Sequence, residues 1–179
     1  NMLWAIRPFA KKKVNEFWVW QLFAEAFVAD ANKVFACYCR ALSCSSPEEM
    51  LVVLRQKMAS ILIERKMYNE AKTEIELLVA AKCSQGQNTP SAILEWQNQE
   101  WYKEAIANKT NMNLYAQYKS EAEELLYSDT PEETIFVNFV NTDRKILNFI
   151  ATESKFGYFK YDRLLKNVKV GDVLKVRFN

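Results

Sequence analysis

Histidine does not occur in this chain, and that absence removes more chemistry than any motif present adds. Ser-His-Asp and Cys-His nucleophile systems need an imidazole as general base, and His-ligated zinc sites need one as ligand. Only three glycines are available, Gly86, Gly157 and Gly171, and they stand far apart. Neither a phosphate-cradling P-loop nor a dinucleotide-binding glycine turn can be built from them. The four cysteines, Cys37, Cys39, Cys44 and Cys83, form no CxxC motif, and no second pair lies at metal-ligand spacing. Cys37 and Cys44, seven apart, share a helix face, and all four cysteines read as small buried hydrophobes in a reducing cytosol. Long apolar runs are missing too. The longest, from Phe17 to Ala31, is interrupted by Gln21, Glu25 and Asp30, and a bilayer span needs about 20 mostly apolar residues. The opening Asn-Met-Leu-Trp has no initiator methionine and no signal-peptide pattern, as in an excised fragment. Paired carboxylates such as Glu48/Glu49 and Glu123/Glu124 fall in solvent-facing helical patterns. The expectation is a non-catalytic, cytoplasmic chain with no cofactor, no metal and no membrane partner.

What is present is unevenly distributed. A chain of 179 residues holds one or two domains, and half of its residues are hydrophobic. From Thr134 onward there are nine basic against four acidic side chains, a net of +5. The first 133 residues carry fifteen against eighteen, a net of −3. That shift coincides with a change of pattern, which predicts a helical domain over 1–129 and a β-domain over 130–179. The fold class is α+β by segregation.

Between residues 15 and 127 the apolar period is helical. It predicts helices at 15–29, 31–44, 47–66, 68–83, 90–107 and 111–127, joined by short connections as three antiparallel hairpins. Ser46-Pro47-Glu48-Glu49 has the spacing of a capped helix start, and Thr89-Pro90 repeats its first two elements. Gly86 is suited to a left-handed turn after a helix end. Met58-Ala59 with Leu62, then Ala71 with Ile75 and Leu78, sets small residues where two helices approach closely. These residues, and Val34, Tyr38, Ala41 and Leu42 upstream, resemble tetratricopeptide-type hairpins over about residues 15–83. The resemblance implies a short stack with Gln56, Lys57, Ser60 and Glu64 on a concave, peptide-binding groove; the competing reading is a spacer that presents its neighbour.

After Asp129-Thr-Pro-Glu-Glu133 the pattern alternates, with Thr134–Val140 β-branched and aromatic. Further strands are predicted at 145–151, 156–161 and 172–178, with Asn141–Arg144 as a turn. Val140–Ile150, Gly157–Leu164 and Val170–Val176 resemble, in order, the strands of a cold-shock-type oligonucleotide-binding (OB) fold. Leu147 stands where that family has an aromatic, Asn148 replaces a glycine and Lys160 a histidine. The resemblance implies single-stranded RNA or DNA as partner. It carries Lys145, Phe149, Tyr158 and Lys160 onto the binding surface, flanked by Phe139 and Tyr161. The function expected is an adaptor whose β-domain binds single-stranded nucleic acid. The alternative is a protein-interaction scaffold with a purely structural β-domain.

Overall fold

The computed structural model describes residues 2–152 and 154–178. Among them, eight helices precede a four-stranded antiparallel sheet, and the chain divides into two compact units at Leu126/Tyr127. The helices are α1 (Met2–Lys12), α2 (Phe17–Glu25), α3 (Ala31–Leu42), α4 (Glu48–Glu64), α5 (Tyr68–Ser84), α6 (Ser91–Gln97), α7 (Glu100–Glu104) and α8 (Met112–Tyr127). The first lies ahead of the earliest helix that periodicity predicts. Pro8 inside it removes a backbone donor and is the local signal against a helix.

Helix ends follow local chemistry only in part. Asp30 accepts from the backbone N–H groups of Asn32 and Lys33, both at 3.2 Å, and so caps α3. Gly86 takes φ +65° just past α5, as expected. At α4, however, Pro47 occupies the capping position itself, with no side-chain cap. Glu48 turns instead to Arg55, meeting its Nη2 at 2.8 Å.

Two of the three expected hairpins form, α2 with α3 and α4 with α5. Ala59 and Ala71 are fully buried in the second, beside Ile75 and Leu78, where a larger residue would have no room. The third hairpin does not form. The span 90–107 is broken at Asn98–Gln99 into α6 and α7. Helix α8 is tied by its side chains to earlier helices: Tyr118 packs edge-on against Phe35 of α3 at 4.8 Å, and Glu123 meets Arg40 of α3 at 3.3 Å.

A buried polar network joins α4, α5 and α8. Glu74 is wholly buried and accepts from three donors: Arg55 Nη1 at 2.6 Å, Asn111 Nδ2 at 2.6 Å, and the Tyr115 hydroxyl. Burial alone would lower the Arg55 pKa, yet its net displacement is upward, because Glu74, Tyr115 and Glu48 favour the cation. Nothing in the sequence spacing announces this cluster.

Cys37, Cys39 and Cys44 are buried, whereas Cys83 is exposed, a departure from the expectation that all four lie inside. Burial pushes the Cys37 thiol up to about 12 and raises Cys39 as well. The thiolate is the nucleophile, so Cys83 should alkylate alone in the folded chain at pH 8. Mass spectrometry with iodoacetamide should find one adduct under native conditions and four in denaturant. Native adducts on Cys37 or Cys39 would refute their burial.

No helix among the described residues is long and apolar enough to cross a membrane. No group of His, Cys, Asp and Glu among them could hold a metal ion.

The sheet is built from β1 (Glu133–Asn141), β2 (Ile146–Thr152), β3 (Lys155–Lys160) and β4 (Val173–Val176) in the order β3-β2-β1-β4. Each lies within two residues of a strand predicted from alternation, although β4 is shorter than 172–178.

Candidate nucleic-acid interface

Successive side chains of a strand point to opposite faces, so each strand of this sheet has an inner and an outer set. The inner set is the core of the β-domain: Ile135 and Val137 of β1, and Leu147 and Phe149 of β2, closed by Tyr161. The outer set follows from the register. Val173, Phe136, Ile150 and Phe156 lie side by side across all four strands. The next row is Phe139, Asn148 and Tyr158, and the third is Asn141, Ile146 and Lys160.

A bulge makes this face more aromatic than strict alternation allows. Phe136 and Phe139 are three apart, so an unbroken strand would turn them to opposite faces. The register of β1 shifts between Val137 and Phe139, one extra residue is absorbed, and both rings end up outside. Phe136 is 46% exposed, Phe139 50%, and Phe156 and Tyr158 each 73%. Apolar area of this size left in water on one sheet face is characteristic of an interaction surface.

The six residues assigned to nucleic-acid contact from the sequence separate into three groups. Phe139, Tyr158 and Lys160 are together on the outer face. Lys145 is exposed but belongs to the β1–β2 turn, at φ +55°, with its carbonyl accepting from the Tyr161 N–H. Phe149 and Tyr161 are buried in the core, which corrects their placement on the surface. The Phe149 ring stacks on Phe178 at 5.1 Å and meets Phe159 at 5.8 Å. Opposite it stands Gly157, where an added Cβ would come within 3.4 Å of the ring. In β2 Leu147 and Phe149 point in, while Asn148 and Ile150 point out, so the strand faces the opposite way from one that would put Phe149 at the surface.

Phe136, Ile150, Phe156 and Val173 were missed as surface residues. The signal that could have found them is Leu147, an aliphatic residue flanked by Ile146 and Asn148, which argues for the buried side. On α4, Lys57 and Glu64 are exposed, and Gln56 and Ser60 are half-buried, along one side of a single helix.

The charges around the sheet also divide. Lys155 pairs with Glu133, and Lys175 with Glu132 at 3.2 Å. Lys145, Lys160, Lys166 and Lys169 form no ion pair among the described residues, so their ammonium groups face solvent uncompensated. The arrangement offers flat rings in two rows, Phe136 with Phe156 and Phe139 with Tyr158, and unpaired cations at the end beyond them. That combination can stack planar heterocycles and neutralise phosphate.

Compared with protein families, residues 1–122 match the model described as a domain of unknown function (DUF7017). Residues 127–179 match the model described as S1/CSD-like domain 1 of the TOTE conflict systems. No curated protein and no solved structure matches the chain. The second match begins where the structure divides into its two units. The C-terminal unit is thus an S1/CSD-like domain of OB type following an all-helical one.

Proposed function

The chain belongs to the DUF7017 family and ends in an S1/CSD-like domain, and on that premise we propose that it is a non-catalytic adaptor whose β-domain binds single-stranded nucleic acid. One observation carries the reading: the bulged outer face sets Phe136 and Phe139 of β1, and Phe156 and Tyr158 of β3, in water on the two strands that flank β2. Base-on-aromatic stacking contributes about 1–3 kcal/mol per base and tolerates any sequence. Lys160, at the end of the same face, supplies a phosphate contact. The description of the matched domain, as part of the TOTE conflict systems, supports a role in such a system. The helical unit, read as tetratricopeptide-like hairpins, would hold a protein partner or orient the β-domain.

Short single-stranded oligonucleotides titrated against the whole chain over a range of salt test this. Phe156→Ala and Tyr158→Ala should each weaken binding by about 1–3 kcal/mol and leave the salt slope unchanged. Lys160→Ala should flatten the log–log slope by about 0.7, the value for one phosphate contact on a single strand. Wild-type affinity for oligonucleotide that survives both aromatic substitutions would sink the proposal. Absence of binding at low salt would transfer the same apolar face to a protein partner.

A further inference from the structure

One cavity of the β-domain is not used by the stacking rows. The third outer row ends at Lys160, and the residues next in register are the β1–β2 turn on one side and Tyr161 on the other. Beside them opens a cavity of about 680 Å³. Lys145, Lys166 and Lys169 line it, with Asp162 as its one acid and Leu165 and Val168 as an apolar wall. Its walls therefore carry a net of two positive charges. None of the three lysines forms an ion pair among the described residues, although Lys155 and Lys175 of the same domain do.

We infer that this cavity takes a terminal phosphate monoester of the strand whose bases stack on the outer face, an inference that rests on the function proposed above. Three cations lining one cavity are more than one internal phosphodiester, with its single charge, requires. A monoester carries about −1.5 to −2 at neutral pH and offers three acceptor oxygens, which matches the net charge of the walls. The volume exceeds that of phosphate alone, and Leu165 and Val168 give the attached sugar an apolar surface. Lys145 is held in place for this role: its φ of +55° and the bond from the Tyr161 N–H to its carbonyl fix the turn that presents it. Lys169 is anchored through its backbone as well, its N–H donating to Asp172 Oδ2 at 2.8 Å. Substitution of its side chain therefore leaves the loop's bond intact.

The test uses the whole chain and one oligonucleotide sequence in three forms: 5′-phosphorylated, 3′-phosphorylated and unphosphorylated. One phosphorylated form should bind on the order of tenfold more tightly, the scale of an added hydrogen bond to a charged group. Its salt slope should steepen by about 0.7 for each added contact. The double variant Lys166→Ala/Lys169→Ala should lose that advantage and bind the three forms alike, whereas Phe156→Ala should weaken all three and keep the ratio between them. If all three forms bind alike while Phe156→Ala still weakens them, the cavity inference falls and the stacking surface stands. If inorganic phosphate raises the melting temperature but neither phosphorylated strand gains affinity, the cavity is a free-anion site and the inference is likewise overturned. If wild type binds no strand at all, both readings fall together.

Discussion

Arg55→Met should destabilise the helical unit by about 3–5 kcal/mol, the cost of leaving a buried charge without its partner. Glu74 is wholly buried, and Arg55 is the cation that meets it, at 2.6 Å. Asn111 and Tyr115 also donate to that carboxylate, but neither brings positive charge. A domain's whole stability is roughly 5–15 kcal/mol, so a loss of this size is a large share of it. Glu74→Met should also destabilise, because it strands the donors of Arg55, Asn111 and Tyr115. The double variant should cost less than the sum of the two, by about 0.5–3 kcal/mol, since the first substitution already removes what the second would break. Urea unfolding followed by circular dichroism of the helices measures all three. Additive losses would mean that the two side chains do not share one site.

Alkaline pH reports on the same network. Burial first, and Glu74 second, raise the Tyr115 pKa above the ordinary value of 10.0. The folded state thus holds the phenolic proton more tightly than the unfolded chain does. The stability this confers is fully present below pH 10 and is lost as pH rises toward the folded-state value. Tyr115→Phe should lower stability at neutral pH by about 1–3 kcal/mol, by leaving an acceptor short, and should soften the decline above pH 10.

Phe149→Ala should unfold the β-domain or bring it close to unfolding. Truncating a buried phenylalanine costs about 3–5 kcal/mol. A unit of about fifty residues has a stability of only roughly 3–8 kcal/mol by the usual per-residue figure. Phe149 is also the ring on which Phe159 and Phe178 converge, so the cavity would open at the centre of the core. Tyr158, one strand away, is 73% exposed, and Tyr158→Ala should leave the melting transition nearly unchanged. The pair of variants therefore separates packing from recognition: one removes the fold, the other removes a stacking surface. A folded Phe149→Ala chain that has lost only nucleic-acid affinity would place that ring outside after all.

How much of this was legible in advance depends on the range over which each signal acts. Alternation in Thr134–Val140 and in Ile146–Ile150 is local, and it located the strands to within two residues. The α4–α5 hairpin was legible for a similar reason: Ala59 and Ala71 mark a close crossing within one short connection. Glycine at position 86 announced a left-handed turn and took one. Alternation has a period but no sign, however. Which set of β2 side chains faces inward depends on the pairing with β1, and on the bulge at Val137/Phe139 that no residue type at those positions demands. Phe149 was consequently assigned to the wrong side, and Phe156 went unnoticed. The third hairpin failed likewise, since the partners of α8 are side chains on α3 and α5, far away in the chain. The buried Glu74 lies at the far end of the same scale, with donors 19 to 41 residues distant. Composition and short-range periodicity determined by themselves the absence of imidazole chemistry, the two-part architecture and the basic character of the β-domain. Tertiary structure alone decided which aromatic rings are core and which are surface, because every ring gains by leaving water and only the register of its neighbours settles which of them can.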